Sequence, residues 1–479
     1  MNVLQRRENG EGLGQSDSKI LLREPTHKVL KKMALPISLG MLSTILFQVV
    51  DTYFVGTLGP EELTALGFAS TLYFMLIGLY IGFSIGVSVI IGSFFGQDDL
   101  ASVKRTSSIA LLLSFVLSAV LSFVGFISLS HIYAFLGATP AQLVHISAYM
   151  KPVFAGLPFL SVAVAASGIL RASGNVLFPE VVYGIAGVIN VVLDYAFIFG
   201  KFGLPALGIT GVAYGTVISW IFLLICMMVQ FIRLQYFGNF ITNWSHSIHI
   251  TKLIFKLASP AVVTQLVGPF TLMFITYLLG NANTDAVAAF GVAGRIETLV
   301  MIGIMAVSTA STPFIAQNLG AIKPERIDQA IVFGGKSATY LGIILMVLLM
   351  LFIRPIASLF SNENSIIDYT ATYFYVVSIS YVLYGLYLIT AAIFNGLKKP
   401  AISMKIMLVK TLVFTVPLCT LGSFYGVNHI FIGLALSNVL GGLYAAREMR
   451  KDLRASGSTL VGTNPIKDMF KDIKTAFGH

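Results

Sequence analysis

Asp51 and Asp194 stand among apolar residues, in FQVVDTYFVG (47–56) and GVINVVLDYAFIFG (187–200). A charge at the centre of a membrane helix costs roughly 2.5–3.5 kcal/mol on insertion scales, so each acid calls for a compensating role. Asn190 precedes Asp194 by four residues and shares its helix face one turn away. Two carboxyls and an amide at one depth offer oxygen ligands for a small cation, or a pair that shares a proton. A carboxyl group in low dielectric beside another acid holds its proton toward neutral pH, so it can load on one side of a membrane and release on the other. Pro36, fifteen residues before Asp51, removes a helix hydrogen bond near the start of the same apolar run. A fixed kink and a bend that changes with ion occupancy are both open.

Other charged residues have plainer readings. Arg295 and Glu297, in GRIETL, are expected to satisfy one another or nearby backbone. Lys410 is embedded in an apolar run, where it either snorkels to the nearer interface or neutralises an acid. These three are accessory candidates. Glu180 and Asp368 fall at helix starts, where an acid complements the dipole. GGKS at 334–337 lacks the first glycine of a phosphate loop, since position 330 is Ala330, and no strand precedes it. HSIH at 246–249 has no further ligands nearby to complete a metal site, so a solvated linker is expected. Apart from Na⁺ as an option at Asp51, Asn190 and Asp194, no metal and no cofactor is expected. The seven histidines are scattered and form no nucleophile–base pair, which argues against an enzyme.

The elements that position these groups are membrane helices. Hydrophobic residues make up 56% of the 479, and charged residues 11% against about 25% in an average soluble domain. Twelve apolar runs, at 33–58, 68–92, 107–130, 147–169, 178–200, 206–232, 253–280, 288–315, 331–353, 369–394, 401–423 and 428–448, are each long enough to cross a ~30 Å hydrocarbon core. Both cysteines, Cys226 and Cys419, fall within them and read as small buried residues rather than a disulfide. The polar first 32 residues contain no signal-peptide core. Arg6, Arg7, Lys31, Lys32, Lys104, Arg105, Lys323, Arg326, Lys398, Lys399 and the C-terminal cluster from Arg447 would all face one side, which sets both termini in the cytoplasm. The net charge of +10 then reflects topology and contact with anionic lipid rather than nucleic acid.

The chain also repeats itself. At a constant offset of 224, Ala34 matches Ala258, Pro36 matches Pro260, Gly56 matches Gly280, Ala65 matches Ala289, Gly67 matches Gly291 and Gly96 matches Gly320. Six spans per half place both halves in the same orientation, related by an axis along the membrane normal. The expected division is a tail over 1–32, an N-lobe over 33–233, a cytoplasmic linker over 234–252, a C-lobe over 253–448 and a second tail over 449–479. The mate of Asp51 is Ile275, and the region matching Asp194 falls near Thr415. The coupling site is therefore expected in the N-lobe alone.

LPISLGMLSTILFQVVDTYFVGTLG in span 1, FGQDDLASVKR after span 2, NVVLDYAFIFG in span 5 and GRIETL in span 8 resemble the MATE (multidrug and toxic compound extrusion) transporters over about 33 to 448. The resemblance implies an all-α membrane protein of twelve helices in two pseudo-two-fold lobes, V-shaped around a central cavity. It implies an antiporter that expels amphiphilic, often cationic, compounds in exchange for H⁺ or Na⁺. It adds Thr216 and Tyr149 to Asp51, Asn190 and Asp194 as the site, and makes Pro36 the hinge. Span 7 (262–280) has no carboxylate, which points to the DinF-like branch with N-lobe coupling, preferably to H⁺. The expected setting is a monomer in the cell membrane, with lipid and small organic substrates as its partners. A lipid-linked oligosaccharide flippase is the alternative; it would require several cavity cations where only Lys410 is plainly embedded.

Overall fold

The computed structural model describes residues 20–239 and 244–458 and is nearly all helical. The first nineteen residues with Arg6 and Arg7, residues 240–243 of the expected linker, and 459–479 lie outside the described residues. The first six long helices are α1 (Thr26–Leu58), α2 (Pro60–Gly96), α3 (Leu100–Phe135), α4 (Pro140–Ala172), α5 (Leu177–Phe199) and α6 (Ile209–Arg233). They are followed by α7 (Trp244–Ala282), α8 (Thr284–Val300), α9 (Ile302–Gly320) and α10 (Pro324–Ser358). The chain closes with α11 (Asn364–Val377), α12 (Tyr381–Gly396), α13 (Pro400–Leu408), α14 (Val416–Ser423) and α15 (Val427–Ser456). A 3₁₀ turn joins α11 to α12, and a π-helical segment, Val409–Thr415, joins α13 to α14. Among the described residues, eleven helical stretches are long and apolar enough to cross a membrane, and twelve if the bent pair α8–α9 is one span. This is a multi-pass membrane protein.

Local chemistry sets the helix ends. Pro60, Pro140, Pro324 and Pro400 each open a helix, where the missing N–H is no loss. Thr139 and Gln142 form a reciprocal capping box on α4. Asp99 caps α3, accepting from the Ser102 N–H at 3.0 Å, so the GQDD loop is explained by capping. That bond and the Ser102 hydroxyl hold the Asp99 carboxyl below its ordinary range. Two expectations change here. The span over 288–315 is bent by 53° between α8 and α9, although Met301 still donates to the Glu297 carbonyl at 3.0 Å. The expected linker is helical from Trp244 onward, because α7 extends the seventh span well before its apolar part.

The described residues form two compact units: Ile20 with those of Pro36–Val262, and Leu21–Leu35 with residues 263–458. Each unit therefore takes the opening of the other half's first helix. In the second unit, Arg326 Nη2 donates to the Leu21 and Glu24 carbonyls at 2.9 and 2.7 Å, and Lys323 Nζ donates to the Leu22 carbonyl at 2.9 Å. Those cations close the carbonyl end of the helical turn before α1. In the first unit, α2 packs its backbone directly on the start of α7. A Cβ at Gly86 would lie 2.6 Å from the Ala258 Cα. α1 runs through Pro36 without interruption, and Pro36 is the first residue of its unit after the crossover.

Gly86→Val forces a side chain against the Ala258 backbone at that contact. Overpacking of this kind costs about 1–3 kcal/mol. A melting curve of the purified protein in detergent should show the midpoint fall by several degrees.

Candidate functional site

Within the first unit, α1 contributes Asp51, α5 contributes Asn190 and Asp194, and α6 contributes Thr216. Asp194 is fully buried and Asn190 nearly so, while Asp51 is half-buried. Asn190 Nδ2 donates to Asp194 Oδ1 at 3.2 Å and reaches Thr216 Oγ1 at 3.4 Å. The Asp51 and Asp194 carboxyls interact directly with each other. Asp51 Oδ1 and Asp194 Oδ2 are both buried and have no hydrogen-bond donor among the described residues. An ionised carboxylate only accepts, so two that face each other leave a place for a donor. That place is of a kind that one proton or one small cation can fill.

The sequence explains how the pair is held. α5 ends at Gly200 in the left-handed conformation, and a short connection returns the chain into α6 behind Gly208. That hairpin sets Gly215 of α6 against Asp194, where a Cβ would overlap Asp194 Oδ1. The absent side chain is what makes room for the carboxylate. Phe54, one turn beyond Asp51 on α1, lies against Tyr195 and Phe199 of α5 and fixes the two helices beside each other.

Tyr149 is buried and lies in electrostatic range of both carboxylates, with no direct hydrogen bond to either among the described residues. Tyr73 of α2 lies in electrostatic range of Asp51 and stacks on Trp220 with centroids 6.0 Å apart. Gly215 and Tyr73 are the members that sequence reasoning missed. A glycine in an apolar helix carries no signal of its own, whereas Tyr73 was readable from the repeat. At the offset of 224, Tyr73 matches Glu297 and Tyr149 matches Tyr373.

The accessory candidates are in the second unit, and their expected pairing is corrected. Glu297 accepts from Tyr373 Oη at 2.8 Å, while Arg295, two residues earlier, lies on another face of the helix and is exposed. Lys410 does not snorkel: it is 8% exposed, with Nζ 5.4 and 5.5 Å from the ring centroids of Tyr384 and Tyr387. Glu297, an acid of the second unit, occupies the register position of Tyr73 rather than that of Asp51 or Asp194. Glu180 is buried and ion-paired with Arg171 Nε at 2.9 Å, and Asp368 pairs with Arg354 at 2.8 Å on the exposed surface. Cys226 and Cys419 are free thiols.

A repeat-built bundle of membrane helices with a buried carboxyl pair is a transporter's architecture. The MatE family profile matches twice, over residues 36–196 and 260–421, the two halves of the repeat. The chain belongs to that family, whose members are transporters and not enzymes. It is 32% identical over 448 residues to a protein of Shewanella oneidensis named as an FAD transporter, covering 91% of this chain and 98% of that one. It is 28% identical to a probable multidrug resistance protein, YoeA, of Bacillus subtilis, over 73% of this chain and 77% of that one. The crystal structure of a mutant form of the Vibrio cholerae MATE transporter VcmN superposes with a TM-score of 0.85 at 26% identity, over 92% of this chain and 98% of that one.

Gly215→Ala adds a methyl group where Asp194 Oδ1 lies. Gradient-driven transport in proteoliposomes should fall at least tenfold, roughly the effect of 1.4 kcal/mol at the pair. A melting curve on the same preparation separates displacement of the carboxylate from unfolding.

Proposed function

We propose that the chain is a secondary active exporter that takes up H⁺ at Asp51 and Asp194 and extrudes amphiphilic organic compounds by alternating access. The observation that carries this reading is the facing carboxyl pair, with one donorless buried oxygen on each side chain. H⁺ is preferred because two adjoining carboxyls can share one proton directly, and Asn190 bonds to Asp194 at 3.2 Å beside them. In this reading protonation removes the repulsion between Asp51 and Asp194, lets α1 shift about Pro36 and weakens substrate binding. Deprotonation on the other side restores it. Each proton moved through 100 mV contributes roughly 2.3 kcal/mol, enough for a concentration ratio of about fifty. Both termini lie in the cytoplasm in this scheme, which the basic residues at Lys104, Arg105, Lys323 and Arg326 support.

On substrate, two readings stand. Relatives named for multidrug resistance support broad export of amphiphiles, often cationic. The relative aligned over nearly its whole length is named for FAD, which supports a flavin dinucleotide as substrate.

The test is transport by proteoliposomes under an imposed pH gradient, with ethidium and FAD as separate cargoes. Wild type should move at least one of them, and Asp51→Asn should abolish that movement while its melting temperature stays within a few degrees. Movement that requires Na⁺ and ignores the pH gradient would contradict proton coupling.

A further inference from the structure

The second unit holds a buried polar cluster that coupling through Asp51 and Asp194 does not use. Glu297 on α8 accepts from Tyr373 on α11. Tyr381, Tyr384 and Tyr387 follow on α12, and Lys410 enters from the π-helical segment Val409–Thr415. π-Helical turns inside α-helices recur at functional sites because they turn a side chain out of the regular helix register. Here the segment closes on itself through Thr415 Oγ1, which donates to the Lys410 carbonyl at 3.0 Å. The Lys410 stem lies against Gly441 of α15, where a Cβ would come within 2.8 Å of the lysine Cγ.

The cluster is not a closed ion pair. Lys410 and Glu297 feel each other electrostatically, yet among the described residues no salt bridge joins them. Each is stabilised separately: the carboxylate by the Tyr373 hydroxyl, the ammonium by the faces of Tyr384 and Tyr387. Those two rings are stacked, 5.9 Å apart at 11°. Ring faces satisfy charge and leave the three N–H donors of an ammonium unspent. The Tyr381 hydroxyl, fully buried, lies toward Glu297 without completing a hydrogen bond of ordinary geometry. Glu297 and Tyr384 are only half-buried, so the cluster reaches the surface of its unit. A buried cation with unused donors, a hydroxyl with its donor to spare and a flat aromatic pair are complementary to an anion attached to an aromatic ring.

We propose that Lys410, Tyr381 and the Tyr384–Tyr387 pair form a binding subsite for the phosphate or carboxylate group of an aromatic substrate. Lys410 Nζ and Tyr381 Oη donate to the anion while a tyrosine face takes the adjoining ring. Glu297, held by Tyr373, balances Lys410 when the subsite is empty. This deepens the export reading by naming the substrate's charged group, and it rests on that reading only for what happens after binding.

Riboflavin and flavin mononucleotide share one ring system and differ by a single phosphate. Their binding to the full chain in detergent, followed by quenching of flavin fluorescence, tests the subsite without any gradient. Failure of gradient-driven transport would therefore leave this result standing. Wild type should bind the mononucleotide at least tenfold more tightly than riboflavin. Lys410→Gln should erase that ratio by weakening the mononucleotide alone, and Lys410→Arg, which keeps the charge, should retain most of it. Equal binding of the two flavins by wild type would overturn the proposal. So would a Lys410→Gln protein that keeps the wild-type ratio, or one that loses both ligands equally while melting as wild type does.

Discussion

Two carboxyl groups meet inside a membrane protein, and among the described residues no other side chain donates to the free oxygen of either. Asp51 and Asp194 come from different helices, and each keeps one buried oxygen without a partner. Their mutual repulsion in low dielectric is large unless something positive sits between them. Much of the surrounding construction serves to hold them there. Gly215 clears the space, Asn190 ties Asp194 to Thr216, and Phe54 packs α1 onto α5. A site that is unfavourable when empty and relaxed when loaded is what lets an ion bias the packing of a helix.

The two units use the duplicated scaffold for different chemistry. At the position of Tyr73, the second unit has Glu297, and at that of Tyr149 it has Tyr373. In the first unit those tyrosines surround a carboxyl pair; in the second the acid and the tyrosine bond to one another, with Lys410 close by. The openings of α1 and α7 are exchanged between units, so the helix bearing Asp51 begins in one unit and continues in the other.

The fold was largely legible because membrane spans are written in apolar length, and the repeat in shared Gly and Pro positions. Asp51, Asn190 and Asp194 stood out for the same reason: a polar residue in an apolar run is conspicuous, and helical spacing relates the last two. What the sequence hid depends on contacts between distant segments. The role of Gly215 exists only once α5 and α6 form their hairpin. Glu297 was expected to be satisfied by Arg295 or nearby backbone, yet residues two apart on a helix face different directions and its partner is the distant Tyr373. The π-helical segment at Lys410 and the exchanged helix openings likewise leave no periodic trace.

The most direct measurement is the infrared absorption of protonated carboxyl groups in the purified protein near neutral pH. Wild type should show a buried carboxylic-acid band that disappears in both Asp51→Asn and Asp194→Asn, since the two residues hold one proton between them. A wild-type spectrum with no band sensitive to either substitution would mean that the pair is fully ionised, and the proton-sharing account would be wrong.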